Sequence, residues 1–384
     1  MCAKVSISPG ILKLESCKLL RNGQSRVMML SHNAAVLPSG ATAVEWLLET
    51  GYGELVGVMG PEHGFLGHAA AGVPCRTFQH SQWSLPVYSL YGKNREPKQA
   101  WLQKAYILLI DLQDLGYRPY TYVSTLFLAL QAAAKRRMPV VVADRPIPLP
   151  HMVDGPMLEE NFTSFVGLVP VPFCYGMTPG ETARWIQQEL LPDLELTVLP
   201  MEGFSRRKIG RWHSGPWVSP SPSIRSTETA VVYPATVAFE GLPHIDHGRN
   251  TTMPFQLLGA PWFDPAALVD CMVERGLPGV SFHPHLYVPL PGKKPVPGVR
   301  LTVIDPSVFR PAKVMVHLLD AITRLYGRRR VWMHPQARPD FFDRLMGTDH
   351  VRKSIMAGDD PEAILQTWEN PRFVKQRKKV LLYR

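Results

Sequence analysis

Cysteine is scarce in this chain of 384 residues: Cys2, Cys17, Cys75, Cys174 and Cys271 are scattered, with no CxxC pair among them. That spacing excludes a disulfide scaffold. Long apolar runs are missing as well, and none approaches the ~20 residues that a membrane-spanning helix requires. Polar and charged residues interrupt Met1–Gln24, so the charged-then-apolar order of a signal peptide is absent. The expectation is a reduced, cytoplasmic protein without a membrane span. Walker, GxGxxG and GxSxG signatures are also lacking, which removes the usual nucleotide and serine-hydrolase readings. An apolar fraction of 45% with 19% charged residues excludes disorder and leaves ample chain to bury a core.

Acidic side chains are outnumbered, 32 Asp and Glu against 42 Lys and Arg. The imbalance is local. From Arg310 to Arg384 the counts are 8 acidic and 16 basic, leaving 24 and 26 in the preceding 309 residues. The excess is concentrated in Arg328-Arg329-Arg330 and Lys375-Gln376-Arg377-Lys378-Lys379. Neither run has aromatics at a stacking spacing, so a solvated surface is expected and no nucleic-acid partner.

Short apolar runs alternate with amphipathic stretches through the first half. Arg26–Ser31, Leu55–Met59, Tyr106–Ile110, Pro139–Ala143 and Leu194–Leu199 read as strands. Ala41–Thr50, Glu96–Lys104, Thr121–Arg137 and Thr178–Leu191 read as helices, the last opening on a Thr cap followed by Pro. Near-continuous apolar strands with helical crossovers predict a doubly wound parallel sheet, an α/β fold. After Met201 the character changes. Gly215 to Pro265 is crowded with Pro and Gly and predicts no helix. Pro265–Arg275 then reads as a helix, Pro291–Pro297 as a loop, Val299–Ile304 as a strand and Val308–Tyr326 as a long helix, with mostly helix beyond. The predicted division is 1–215 and 216–384, the second part a smaller α+β domain.

In open parallel sheets ligands lie beyond the carboxyl ends of the strands. The loops there carry His32-Asn33, Gly60-Pro61-Glu62-His63-Gly64, then Asp111 to Tyr122, and Asp144-Arg145. Glu62, between Pro61 and His63, suits a carboxylate held on a tight turn, able to act as general acid if burial raises its pKa. A turn carboxylate that only bonds nearby N–H groups has the same signature. Asp111 and Asp114 read as paired carboxylates or as turn caps. Tyr120 and Tyr122 read as sugar-facing rings or as packing residues. Arg118 and Arg145 read as an anion clamp or as partners of the nearby Asp residues. In the second half, His244-Ile245-Asp246-His247 and His283-Pro284-His285 carry metal-type donors, but their spacing matches no established zinc motif. No metal and no cofactor are expected.

Several blocks, in this order, resemble the exo-β-N-acetylmuramidase family of bacterial cell-wall glycosidases. They are VGVMGPEHGFLG, SLYG at Ser89–Gly92, DLQDLGYRPYTYVST, VVVADRPIPL, YGMTPGE, SPSPSI at Ser219–Ile224, GRNTTMPFQLLGAPW and FFDRLMGT at Phe341–Thr348. The likeness extends from about Gly10 to Tyr383. It implies a Rossmann-like catalytic domain, an auxiliary domain closed over it, and release of N-acetylmuramic acid from the non-reducing end of peptidoglycan-type fragments. A sugar or muropeptide is then the partner, and a homodimer is compatible with the reading. On this resemblance Glu62 is the acid/base candidate, with Asp114 or Glu240 as a second carboxyl, unless the substrate's acetamido group replaces it. Asn33, His63, Asp111, Tyr120, Tyr122, Asp144 and Arg145 are the expected substrate-binding set. Arg118 and Arg249 are the choices for the anionic lactyl group. The stretch from Glu240 to Arg249 departs from the family pattern, which leaves a sugar-binding protein without catalysis as the alternative.

Overall fold

The computed structural model describes residues 7–20, 23–209, 212–213 and 215–384. Cys2 and part of Met1–Gln24, on which the leader reading rests, lie outside them. The strands, in chain order, are β1 (Arg26–Ser31), β2 (Glu54–Gly60), β3 (Phe78–Gln79), β4 (Pro86–Ser89), β5 (Ile107–Asp111), β6 (Val140–Ala143), β7 (Asp154–Met157), β8 (Pro172–Cys174), β9 (Leu196–Leu199), β10 (Leu257–Gly259), β11 (Val280–Tyr287) and β12 (Val296–Val303). Seven of them form one sheet in the order β3-β4-β2-β1-β5-β6-β9, parallel apart from β3. The order reverses between β1 and β5, which is where such a sheet opens a crevice.

Period-2 alternation sends successive side chains of each strand to opposite faces. Met28, Leu30, Leu108, Ile110, Val140 and Val142 meet the helices Tyr122–Lys135 and Pro179–Leu190 on one face. Val27, Met29, Ile107, Leu109, Val141 and Ala143 meet the helix Ala43–Thr50 and the short turn of helix Gly10–Ser16 on the other. With both faces covered, β5 and β6 are buried throughout, which is why they read as unbroken apolar runs. The predicted Thr cap is present: Thr178 accepts a bond from the Glu181 N–H, and the Glu181 side chain accepts one from the Thr178 N–H.

The second half builds an antiparallel sheet in the order β10-β12-β11 against the helices Pro265–Glu274 and Pro311–Tyr326. β11 was not expected, because His283, Pro284 and His285 break its pattern; as an edge strand it tolerates a proline. The expected loop Pro291–Pro297 is in part strand, since β12 begins at Val296. A helix at Thr227–Val232 and short 3-10 turns at Tyr233–Ala235 and Val237–Gly241 occupy a stretch expected to lack helix.

The two halves are joined by buried polar contacts. The Asp154 carboxylate on β7 accepts bonds from the Ala312 N–H at 2.8 Å and from Arg310 Nη2 at 2.7 Å. The chain also returns to its beginning. Phe373 packs against Trp185, the Leu382 N–H donates to Glu181, and the Tyr383 hydroxyl donates to Asp144 at 2.6 Å. Arg377, within the C-terminal basic run, donates to the carbonyls of Pro150 and Gly176, so part of the basic excess serves the interior. Among the described residues, no helix is long and apolar enough to cross a membrane.

Candidate active site

Beyond the carboxyl end of β2 the chain turns sharply at Glu62. His63 and Gly64 both adopt left-handed backbone, with φ of 71° and 76°. Glycine takes that conformation freely; histidine does so at a cost of roughly 1 kcal/mol or more. The turn places Glu62, 6% exposed, on the wall of a cavity of about 430 Å³. Both of its carboxylate oxygens are held. Thr121 Oγ1 donates to one at 2.7 Å, and the Gly72 N–H donates to the other at 3.0 Å. A carboxylate has about four acceptor positions, so two remain for a ligand.

Other cavity residues come from distant segments. Tyr120 and Thr121 precede the helix Tyr122–Lys135, and Ser164, Phe165 and Val166 come from the loop between β7 and β8. Tyr233, Glu240, Arg249 and Phe255 come from the second half. The hydroxyls of Tyr120 and Ser164 are buried with no hydrogen-bond partner among the described residues. Such groups suit a polar ligand, because a buried donor left unpaired costs free energy. Burial and the neighbouring Glu62 charge push the Tyr91 hydroxyl up to about 12, so near neutrality it stays a proton donor. Phe255 lies in the left-handed region at φ 63°, with Tyr233 edge-on to its ring and the Arg249 guanidinium over it at 5.0 Å.

Glu240 and Arg249 form an ion pair on the wall. Burial raises the Glu240 pKa, and Arg249 opposes the shift. Arg95, Arg338 and Arg344 are the other cations lining the cavity. The Arg95 guanidinium lies 4.5 Å from the Phe165 ring centre. Neither Arg95 nor Arg344 has a carboxylate partner among the described residues.

Of the residues singled out from sequence, the cavity brings together Glu62, His63, Tyr120, Glu240 and Arg249. The rest lie behind the wall. Asp111 and Arg145 are a fully buried ion pair, and Arg145 also donates to the Val36 carbonyl. Asp144 accepts bonds from Gly180, Thr178 and Tyr383. Arg118 is the plainest correction to an anion-clamp role: its guanidinium is fully buried, donates to the carbonyls of Pro156, Val171 and Met346, and does not line the cavity. The Tyr122 hydroxyl donates to the Pro220 carbonyl, and Asn33 packs against the turn at Gly67. The groove residues not singled out include Tyr91, Thr121 and Ser221, each inside a conspicuous sequence block. Arg95 and Arg338 carried no local signal.

Asp114 is also enclosed. It accepts bonds from the Leu115 N–H at 2.7 Å and the Tyr175 hydroxyl at 3.0 Å. Burial pushes its pKa from 3.8 up to about 7. Between those values the folded state keeps a proton that the unfolded state releases, so this group lowers stability as pH rises through the window. Asp114→Asn should therefore gain stability relative to the parent as pH increases from 4 to 7, read as the difference between urea midpoints. A constant difference would show that Asp114 does not titrate this way.

The site joins a buried carboxylate and paired ionic groups to a sugar-sized cleft with polar groups set among apolar walls, on an α/β scaffold, the arrangement of a carbohydrate-active protein. The chain belongs to the exo-β-N-acetylmuramidase NamZ family: the family's N-terminal model matches residues 27–228 and its C-terminal model residues 231–383. It is 36% identical over 364 residues to peptidoglycan β-N-acetylmuramidase NamZ of Bacillus subtilis (strain 168), covering 93% of this chain and 87% of that protein. Two crystal structures of DUF1343 family proteins from Bacteroides fragilis NCTC 9343 share the fold. BF0371 superposes with a TM-score of 0.90 at 28% identity over the whole of both chains. BF0379 gives 0.76 at 29% identity, covering 98% of this chain and 99% of that one.

Proposed function

We propose that this chain is an exo-acting glycoside hydrolase that removes terminal N-acetylmuramic acid from peptidoglycan-type fragments, with Glu62 as general acid/base. The observation that carries the reading is Glu62 itself, a carboxylate gripped on both oxygens and presented to the cavity. A protonated carboxyl there donates to the glycosidic oxygen as the bond breaks. Glu240 is the second carboxyl lining the cavity, and its Arg249 partner favours the ionised form that assists water attack. Asp114, enclosed by Leu115 and Tyr175, has no part in this chemistry. Residues 1–215 supply the acid, and 216–384 close the cleft from the other side and supply Glu240.

N-acetylmuramic acid carries a lactyl carboxylate that N-acetylglucosamine lacks. In this reading Arg95 and Arg344 receive it, in place of Arg118, since charge-assisted bonds to an otherwise unpaired guanidinium are strong. A panel of chromogenic glycosides tests the proposal. Turnover of the muramic acid glycoside should exceed that of the N-acetylglucosamine glycoside at least tenfold, and Arg95→Ala and Arg344→Ala should shrink that preference. Saturable binding of the muramic acid glycoside without release of the chromophore would replace the enzyme reading with a non-catalytic sugar-binding one.

A further inference from the structure

Histidine at position 63 takes left-handed backbone, which glycine would adopt without strain; among the described non-glycine residues only Ser84, Arg137 and Phe255 do likewise. Strain of this kind gathers at functional sites, and the bonds of the imidazole show what it serves here. His63 is buried, and its Nδ1 lies 2.8 Å from the Ala69 carbonyl oxygen. A carbonyl can only accept, so the ring proton sits on Nδ1 and Nε2 is left bare. The Ala69 N–H in turn donates to the His63 carbonyl at 3.2 Å. Both backbone groups of Ala69 are thus tied to one residue.

Beyond Ala69 the chain needs such an anchor. Residues 61–77 contain neither helix nor strand, and Ala70, Ala71, Gly72, Val73 and Pro74 are all exposed. Three residues past Ala69, the Gly72 N–H donates to Glu62 Oε1 at 3.0 Å. Gly72 has open space where a Cβ would stand, so its place depends on how the loop is held at its two ends. Pro74 lies against Gly92 at one end, and the His63 clamp on Ala69 is the other. The clamp is also uncharged near neutrality. Burial lowers the His63 pKa, the Glu62 charge and the Ala69 carbonyl oppose the fall, and Arg249 adds to it. A lysine or arginine donor in its place would favour the ionised Glu62 carboxylate, against the protonated form that an acid needs.

We propose that His63 is a positioning residue: its Nδ1–H holds the Ala69 carbonyl, and through it the loop whose Gly72 N–H fixes the Glu62 carboxylate at the cavity. The proposal rests on the reading of Glu62 as acid/base, and it displaces a direct contact between His63 Nε2 and the sugar. Two substitutions separate these roles. His63→Asn keeps a donor near the place of Nδ1, tolerates left-handed backbone and offers nothing at Nε2. His63→Ala removes both nitrogens. On the chromogenic muramic acid glycoside, His63→Ala should lower kcat about thirtyfold with KM within about threefold of the parent, since a misplaced reacting group is slow. His63→Asn should recover about tenfold of that loss, with rates compared well below the lower of the two melting temperatures. In the Glu62→Gln protein, followed in single turnovers, His63→Ala should lower the rate less than about threefold further, because the proton it helps to place is already gone. Losses that multiply in the double variant would overturn the proposal, as would a His63→Asn protein no more active than His63→Ala. A raised KM with unchanged kcat in both variants would assign His63 to sugar contact instead. Turnover by Glu62→Gln alone that matches the parent would strike the acid/base reading, and it is read before any His63 variant is made.

Discussion

Glu62→Gln is expected to lower kcat on a muramic acid glycoside by roughly 10²- to 10⁴-fold, the usual contribution of a positioned acid/base group. The substitution isolates the proton because it preserves the local bonding. The Gly72 N–H can only donate, so the amide oxygen must turn toward it. The amide nitrogen then faces Thr121, whose hydroxyl can rotate from donor to acceptor. The turn at His63 and Gly64 is untouched, and the melting temperature should stay within a degree or two of the parent. KM should change less than kcat, since the side chain keeps its shape and most of its contacts. Turnover like that of the parent would remove Glu62 from the acid/base role.

Arg145→Met should have the largest effect on stability, about 3–5 kcal/mol, because it strands the Asp111 charge in the interior. Both partners are essentially without solvent contact, at 1% and 0% exposure. Burial already raises the Asp111 pKa, and Arg145 is what opposes that shift. Without the guanidinium, Asp111 must either take up a proton or remain charged without a partner, and the Val36 carbonyl loses its donor as well. Against a typical total stability of about 5–15 kcal/mol this is a large fraction. Denaturant unfolding checks it. The double variant Asp111→Leu, Arg145→Met should be more stable than Arg145→Met alone, since no charge is left unpaired. A single variant within 1 kcal/mol of the parent would contradict this account of the pair.

The apolar strands announced themselves because burial on both faces leaves no room for polar residues. β1, β2, β5 and β6 lie within a residue or two of where composition alone sets them. β4 and β11 escaped because a proline interrupts each pattern: β4 begins at Pro86, and β11 is an edge strand carrying His-Pro-His. The site was legible in outline only. A loop after a strand announces that a carboxylate is near the sheet edge, but it does not say which neighbour will neutralise it. Asp111 and Glu62 occupy similar positions in the pattern, yet Asp111 meets Arg145 and Glu62 meets a hydroxyl and an amide. Arg118 and Arg344 likewise cannot be told apart by local composition. One is surrounded by backbone carbonyls and the other reaches the cavity, a difference made by segments that lie 38, 53 and 228 residues along the chain from Arg118.

The return of residues Pro371–Tyr383 to the first half has a consequence for synthesis on the ribosome. Asp144 and Glu181 are translated some two hundred residues before their partners Tyr383 and Leu382. Throughout that interval the growing chain presents a sheet margin whose carboxylates lack their final donors. The first half therefore gains these particular contacts only once the second has been made, Phe373 then meeting Trp185. The two halves are in this sense interlocked rather than laid side by side, because Pro371–Tyr383 supplies donors and an aromatic contact to the first half.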